Sequence, residues 1–248
     1  MHTLGISISL CAFALEVGLV LRGAQIKVFR SFPLFYSYIT YATCATVALY
    51  IIYFLDRPIY RSLFWINYLI NDLAEFAVLV EISDHVFKPL VAIRSLGRAL
   101  TIALTTGFGL LYILPTILWA RGSTAALADF TLRVSLTKAI ILAALFFAAW
   151  NYSFPLSRNV AGLMLGFAIY VAMNVAMMAS AKAFSSSLVA GMLWVLSPLG
   201  SALCMLVWTT SLWELAPIPR RQASGRDAET VALELTRFNS DLSRFLHK

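Results

Sequence analysis

Charged residues are scarce in this chain. Asp, Glu, Lys and Arg make up 12% of the 248 residues, whereas hydrophobic residues make up 60%. A soluble domain has about a quarter of its residues charged, so too little polar surface is left here to cover a water-soluble globule. The net charge of +7 lies mainly in predicted loops and in the tail. It therefore does not indicate binding to nucleic acid.

Motifs for catalysis and metal binding are lacking too. The sequence contains no His-Glu-x-x-His, no Gly-x-Ser-x-Gly and no phosphate-binding Gly-rich loop. Its three cysteines, Cys11, Cys44 and Cys204, fall in apolar stretches, where ordinary packing is their usual role and no disulfide is expected. No Cys/His cluster has the spacing of a metal site. We therefore expect no enzyme activity, no catalytic residue, no cofactor and no metal.

Long apolar stretches dominate the rest of the sequence. A helix needs about 20 apolar residues to cross the hydrocarbon, and lipid cannot satisfy the free backbone groups of non-helical segments. The pattern predicts an all-α polytopic membrane protein, with a seven-helix transmembrane bundle over residues 1–215 and a cytoplasmic tail over residues 216–248. The predicted spans are Thr3–Leu21, Phe35–Leu55, Phe64–Phe87, Arg98–Ala120, Thr131–Trp150, Val160–Ala181 and Leu188–Trp213.

Basic residues divide unequally between the two sides that these spans define. Cytoplasmic loops carry the excess of Lys and Arg in membrane proteins. The side that includes the tail has Arg22, Lys27, Arg30, Lys88, Arg94, Arg98, Arg158, Arg220, Arg221 and Arg226; the other has Arg57, Arg61, Arg121, Arg133 and Lys182. This asymmetry predicts a multi-pass protein of the inner membrane with its amino terminus outside and its carboxyl terminus in the cytoplasm.

The third predicted span carries an unusual number of polar residues. Asn67, Asn71, Asp72 and Glu75 fall within a sector of about 140° on one helix face. A carboxylate in mid-membrane costs roughly 3 kcal/mol on insertion scales, so such groups face the bundle interior and have a partner. Lys138, in the fifth span, is the one cation in the middle of a predicted span. We predict that at least one carboxylate approaches it.

The predicted topology puts further polar residues at a similar depth, in the outer half of the membrane. We therefore predict a small-ligand or ion site in an outward-facing polar cavity, lined by Asn67, Asn71, Asp72, Glu75, Lys138, Asn174, Ser197 and Ser201. The alternative is a closed network. In that arrangement Lys138 pairs with one carboxylate, the other carboxylate is protonated, and the asparagines bridge helices.

A second polar cluster is predicted toward the cytoplasmic side, formed by Glu16, Glu81 and His85. A carboxylate one helical turn from His85 would favour the charged imidazole; the alternative is an ordinary solvated helix end. Aromatic residues near the span ends, such as Tyr36, Tyr38 and Trp208, are predicted mainly as interfacial anchors.

The tail contains one apolar stripe on an amphipathic helix over about residues 227–246. The stripe consists of Val231, Leu235, Phe238, Leu242 and Phe245. From Asp227 onward the tail has three positive and four negative side chains, whereas helices that seek membrane surfaces are rich in Lys and Arg. The stripe is therefore predicted to pack on protein: its own bundle, a second copy of the chain, or a partner.

Two family resemblances follow from particular residues. The run Arg22-Gly23, Lys27, Phe32-Pro33, Tyr36 and Tyr38, with Glu81-Ile82 and Arg94-x-Leu-Gly-Arg98, resembles a group of small uncharacterised bacterial seven-helix membrane proteins. That resemblance implies the fold and transfers no function. The chain resembles rhodopsins only in helix count and topology, because Leu188–Trp213 contains no lysine to carry retinal.

Three classes of function stay open on the sequence alone. The first is a sensor or receptor-like module that binds a ligand in the outward cavity and signals through its cytoplasmic face. The second is a small-solute or proton-coupled transporter. The third is a structural or partner-binding subunit with a closed core. An odd number of spans without a visible inverted repeat disfavours the common transporter architectures, so the first class is the primary hypothesis.

Overall fold

The computed structural model describes residues 2–26, 28–88, 99, 102–103, 106–107, 124–151, 156–183 and 187–214. The regular structure in these ranges is helical, with no strand. Contacts divide the chain into two units, Met1–Pro217 and Ile218–Lys248, and every described residue belongs to the first. The predicted tail helix, with its five stripe residues, lies outside the described residues, as does nearly all of the fourth predicted span.

Six long helices are described. They are α1 (His2–Gln25), α2 (Pro33–Leu55), α3 (Arg57–Val86), α4 (Thr124–Asn151), α5 (Arg158–Ala183) and α6 (Ser187–Leu212), with a short 3-10 turn at Val28–Arg30. They coincide with the first three and the last three predicted spans. The helices α3 and α4 begin seven residues before the corresponding predicted spans, because hydropathy locates the apolar part of a helix and not its polar first turns.

Four of these helices are long and apolar enough to cross a membrane: Leu4–Gln25, Pro33–Leu55, Phe130–Asn151 and Arg158–Ser180. The described apolar part of α6, Leu196–Leu212, is shorter, and α3 carries six charged residues. Large apolar side chains lie on the outer surface; Leu55 and Trp150 are 79% and 85% exposed. An apolar exterior on this scale suits contact with lipid rather than water, so the fold is compatible with a membrane location.

The six described helices form a closed ring of contacts. Along the ring, α1 packs on α6, α6 on α5, α5 on α4, α4 on α3, α3 on α2 and α2 on α1. The helix α3 also contacts α5. The charged helix therefore has apolar helices as neighbours, and the polar face of α3 can turn toward α4 and α5.

A single extended residue joins α2 to α3. Asp56 has φ −153° and ψ 101°, donates its N–H to the Ile52 carbonyl at 2.8 Å, and accepts the Ile59 N–H with its side chain at 3.1 Å. It thus ends one helix and caps the next. Pro58, in the first turn of α3, has no N–H that would need a partner. This tight connection fixes the register of α2 against α3.

Two glycines of α5, Gly162 and Gly166, allow a close approach of α6. A side-chain carbon at Gly162 would overlap Ser211, and one at Gly166 would overlap the Trp208 indole. Trp208 is 1% exposed and donates its indole N–H to the Leu163 carbonyl at 3.2 Å. The two glycines therefore let α6 lie directly on the backbone of α5.

The interfacial interpretation of three aromatic residues is wrong. Tyr36, Tyr38 and Trp208 are 0%, 7% and 1% exposed, and the Trp208 ring packs edge-on against Phe35 with centroids 5.0 Å apart. Aromatic residues near a span end also fill the space between converging helices. The position of an aromatic residue in the sequence does not show whether its ring fills the space between helices or lies in the headgroup layer.

Candidate functional site

Lys138 of α4 points between two carboxylates of α3. Its Nζ donates to Asp72 Oδ1 and, at 2.5 Å, to Glu75 Oε2. Asp72 and Glu75 lie three positions apart, so both face α4 on adjacent turns. The predicted approach of Lys138 to a carboxylate is confirmed, and it involves both carboxylates rather than one. We call Asp72, Glu75 and Lys138 the triad.

The members of the triad are not equally buried. The side chains of Lys138 and Glu75 are 3% and 2% exposed, whereas that of Asp72 is 13% exposed. The ammonium also lies 5.4 Å from the centre of the Phe76 ring, within the range of a cation–π contact. Charges buried this deeply persist only when they are paired and hydrogen-bonded. Asp72 is therefore the most exposed member of the triad.

Glu75 has hydrogen-bond partners on both of its oxygens. Oε2 receives Lys138, and Oε1 accepts the hydroxyl of Tyr38 at 3.3 Å and that of Tyr170 at 2.9 Å. Asn174 lies one turn beyond Tyr170 on α5 and is partly buried. One carboxylate therefore joins α2, α3, α4 and α5. Three donors aimed at it are the environment that an ionised carboxylate requires.

Asp72 is different. Its Oδ1 receives Lys138, but its Oδ2 is buried and has no hydrogen-bond partner among the described residues. With all three groups ionised, the triad would hold one surplus negative charge away from water. A single bound proton or other cation would neutralise it, and the incomplete coordination of Asp72 marks this carboxylate as the place.

The two predicted asparagines of α3 bind protein partners. Asn67 accepts the Tyr41 hydroxyl at 2.8 Å, and Asn71 donates its amide to the Asn67 carbonyl at 3.1 Å. Tyr68 and Thr131 are hydrogen-bonded to each other between α3 and α4. Asn67 thus links α3 to α2, as the closed-network alternative predicts, whereas the bond of Asn71 stays within α3.

Two predicted residues of α6 stand apart from this network. Ser197 and Ser201 are partly buried, and neither hydrogen-bonds to the triad within the described part of the chain. Of the predicted site residues, the structure therefore brings Asp72, Glu75 and Lys138 into direct contact, and Asn174 lies one turn from Tyr170, which bonds to Glu75.

Glu16 does not join Glu81 and His85. It accepts the Thr43 hydroxyl at 3.0 Å, whereas Glu81 bonds to the first turn of α2 at Leu34 and Phe35. Eight positions of α2 separate Thr43 from Phe35, which corresponds to about 12 Å along the helix. The structure thus divides the predicted second cluster into two separate places.

Glu81 caps α2 from a neighbouring helix. Its two oxygens accept the backbone N–H groups of Leu34 at 3.1 Å and Phe35 at 2.8 Å. Phe32, the residue before α2, supplies no side-chain acceptor, so α3 provides the anion that a helix N-terminus favours. His85 contacts the Glu81 carbonyl at 2.9 Å and stacks on the Phe32 ring. Glu81 therefore pins two helices together, and its carboxylate is fully occupied.

Tyr38, Tyr170 and the capping role of Glu81 were missed by sequence reasoning. The two tyrosines read as ordinary aromatic residues of a span. The cap had a usable signal, because Phe32-Pro33 opens a helix without any Ser, Thr, Asp or Asn to satisfy its N–H groups.

No family model, curated protein or solved structure matches this chain. Within the described ranges, no group of three or more His, Cys, Asp or Glu side chains is placed to hold a metal ion.

Proposed function

We propose that the chain is a seven-helix protein of the inner membrane, with its amino terminus outside, that acts as a sensor or receptor-like module for protons. In this proposal Asp72 takes up the proton and the cytoplasmic face reports its binding. The observation that carries the proposal is the buried, unpartnered Oδ2 of Asp72 in a triad with two carboxylates and one ammonium.

The charge of the triad supports a proton as the ligand. A net negative charge in a low-dielectric interior is expensive, and a carboxyl group that can protonate does so instead of paying that cost. Glu75 accepts hydrogen bonds from three donors, an arrangement that stabilises a carboxylate. Asp72, with one, can gain and lose a proton at the smallest cost in hydrogen bonds.

The position of Lys138 supports a conformational readout. Its ammonium is shared between Asp72 and Glu75, so neutralising Asp72 weakens one of the two charge contacts that hold α4 against α3. A ligand shifts a conformational equilibrium by its differential affinity for the two states. A proton that binds better when Lys138 leaves Asp72 would favour a looser α3–α4 contact.

A second function has an observation in its favour. The saturated coordination of Glu75 by residues of three other helices favours a closed structural core. In that case the chain is a partner-binding membrane subunit, and the triad only specifies how its helices pack.

Reconstituted protein distinguishes these functions. An acid step outside proteoliposomes is followed by hydrogen exchange of α3 and α4 and, in parallel, by an internal pH dye. A sensor shows reduced protection in both helices relative to the intrinsic amide exchange rate at each pH, without proton flux, and Asp72→Asn abolishes the response while Asp56→Asn, at the α2–α3 connection, preserves it. Proton flux that depends on Asp72 identifies a transporter. Unchanged exchange and no flux identify a closed structural subunit and overturn the proposal.

The orientation has its own test. A reporter fused after Arg226 should be active only if it is a cytoplasmic reporter. Activity of a periplasmic reporter at that position would invert the topology and place the triad in the inner half of the membrane.

A further inference from the structure

Arg22 has an unusual environment at the end of α1. Its guanidinium carbon lies 4.9 Å from the centre of the Trp213 ring, just beyond α6. Its Nε is buried and has no hydrogen-bond partner among the described residues. A guanidinium carries five N–H donors and no acceptor, so the acceptor oxygen of a ligand could pair with this buried donor.

Two more buried groups without partners lie on the helices that meet α1 here. The hydroxyl of Tyr36 is buried and unpartnered within the described chain, and its ring packs directly against Gly23, the neighbour of Arg22. The hydroxyl of Thr209, one turn before Trp213 on α6, is in the same condition. All three groups can donate a hydrogen bond, and one of them carries a positive charge.

The position of Trp213 is fixed by a separate contact. The amide of Asn159, at the start of α5, donates to the carbonyls of Ser211 and Glu214, both at 2.8 Å. These two bonds hold the end of α6 on both sides of Trp213 and satisfy carbonyls that a helix end leaves free. The ring on which Arg22 lies is therefore held in place by the fold.

This end of the bundle is basic. Arg30, Lys88 and Arg158 are exposed, and contacts of their own segments put them at the same end as Arg22: Phe35 bonds to Glu81 near Lys88, and Asn159 bonds to Ser211. Apolar surface adjoins the site, since Leu21 is 59% exposed and Trp213 is 48% exposed. The arrangement presents a cation and hydroxyl donors above an apolar surface.

From this arrangement we propose that Arg22 and Trp213 form a binding site for the phosphate of an anionic phospholipid headgroup. Phosphate oxygens are acceptors that match a guanidinium and hydroxyl groups. Tryptophan is enriched at the membrane–water interface, where the exposed faces of Leu21 and Trp213 would contact the upper part of the lipid chains. The surrounding positive charge favours a net-negative lipid over a zwitterionic one.

The test compares two arginines that both stack on aromatic rings. Arg57 lies 5.5 Å from the Tyr53 ring at the α2–α3 connection, so Arg57→Gln is the matched control for Arg22→Gln. Purified protein is titrated with phosphatidylglycerol or phosphatidylcholine, and bound lipid is counted by native mass spectrometry alongside thermal unfolding. We expect phosphatidylglycerol to bind wild type and Arg57→Gln equally, and Arg22→Gln about tenfold more weakly, the loss expected for one charge-assisted contact.

Several outcomes would overturn the site. If Arg22→Gln and Arg57→Gln lose lipid binding equally, the binding depends on general surface charge and not on a site at Arg22. If both lipids bind equally well, headgroup charge has no role in the binding. The same stabilisation by inorganic phosphate alone would make it a site for free phosphate. If Arg22→Gln does not fold, Trp213→Leu provides the measurement and should also weaken phosphatidylglycerol binding. Asp72→Asn should leave lipid binding intact, so this site and the proton site can fail independently.

Discussion

Lys138 donates to Glu75 at 2.5 Å across 63 positions of sequence. The contact joins α4 to α3, two helices separated in the chain by a long intervening segment. Because both groups are buried and charged, neither keeps its charge easily without the other. The relationship therefore links the packing of the bundle to the protonation of the triad.

Loss of the buried cation should strongly destabilise the protein. Lys138→Met leaves two carboxylates facing each other without an ammonium, and breaking a buried pair from one side costs about 3–5 kcal/mol. Thermal and denaturant unfolding in detergent would measure the loss. The control Lys88→Met removes an exposed lysine and should change stability by less than about 0.5 kcal/mol.

A double-mutant cycle then isolates the pair. Lys138→Met combined with Asp72→Asn should lose less stability than the two single losses added together, because the second change removes the charge that the first one strands. Strict additivity of the two changes would mean that Lys138 and Asp72 do not interact.

The two tyrosines that bond to Glu75 should differ in importance. Tyr170→Phe removes a donor at 2.9 Å, and Tyr38→Phe removes one at 3.3 Å. A hydrogen bond to a charged group contributes about 1.5–3 kcal/mol, so Tyr170→Phe should be in that range and Tyr38→Phe below it. Tyr50→Phe, on a residue that is 67% exposed, is the control. The reverse order for the two buried tyrosines would contradict the geometry around Glu75.

The cap on α2 predicts a loss at Glu81. Glu81→Gln replaces one of the two accepting oxygens with an NH2 group, which is a donor and cannot accept the backbone N–H that faces it. One buried N–H loses its partner, so the free energy of unfolding should fall by about 1–3 kcal/mol. Hydrogen exchange at Leu34 and Phe35 should accelerate along with the loss of stability. Glu214→Gln, at an exposed glutamate, should affect neither. Unchanged exchange at both amides in Glu81→Gln would show that α2 is capped by another group.

Packing of α6 on α5 predicts opposite results at two glycines. Gly166→Ala introduces a carbon that overlaps the Trp208 indole, and overpacking of this kind costs about 1–3 kcal/mol. A side-chain carbon at Gly18 of α1 meets no atom within 4 Å among the described residues. Alanine also stabilises a helix by about 1 kcal/mol relative to glycine. Gly18→Ala should therefore keep or raise the melting temperature, whereas Gly166→Ala lowers it. Equal effects would contradict the close approach.

The helices and the triad could be read from the sequence because both follow from the cost of exposing groups to the wrong solvent. An apolar stretch as long as Pro33–Leu55 can cross lipid as a helix, which is one of the few structures that satisfy the backbone there. Asp72 and Glu75 within such a stretch need a cation, and Lys138 was the mid-span candidate.

The remainder depended on distances that the sequence does not contain. Tyr38 and Tyr170 bond to Glu75 because the packing of α2 and α5 brings their hydroxyl groups within hydrogen-bond distance. No sequence pattern distinguishes such a tyrosine from any other tyrosine in a span. Glu16 and Glu81 were grouped by predicted depth, but α1 and α3 pack against α2 so that the two carboxylates contact different levels of α2. Register between helices is decided by packing, and hydropathy does not encode it.

The most direct test of the central claim is to detect the proton on Asp72. An infrared difference spectrum of the purified protein between neutral and mildly acid pH should show a protonated-carboxyl stretching band that appears on acidification and shifts when the aspartate carboxyl carbons are isotopically labelled, but not when those of glutamate are. The band should vanish in Asp72→Asn and persist in Asp56→Asn. A band that follows the glutamate label would move the proton to Glu75, and the absence of any such band would contradict a protonated triad.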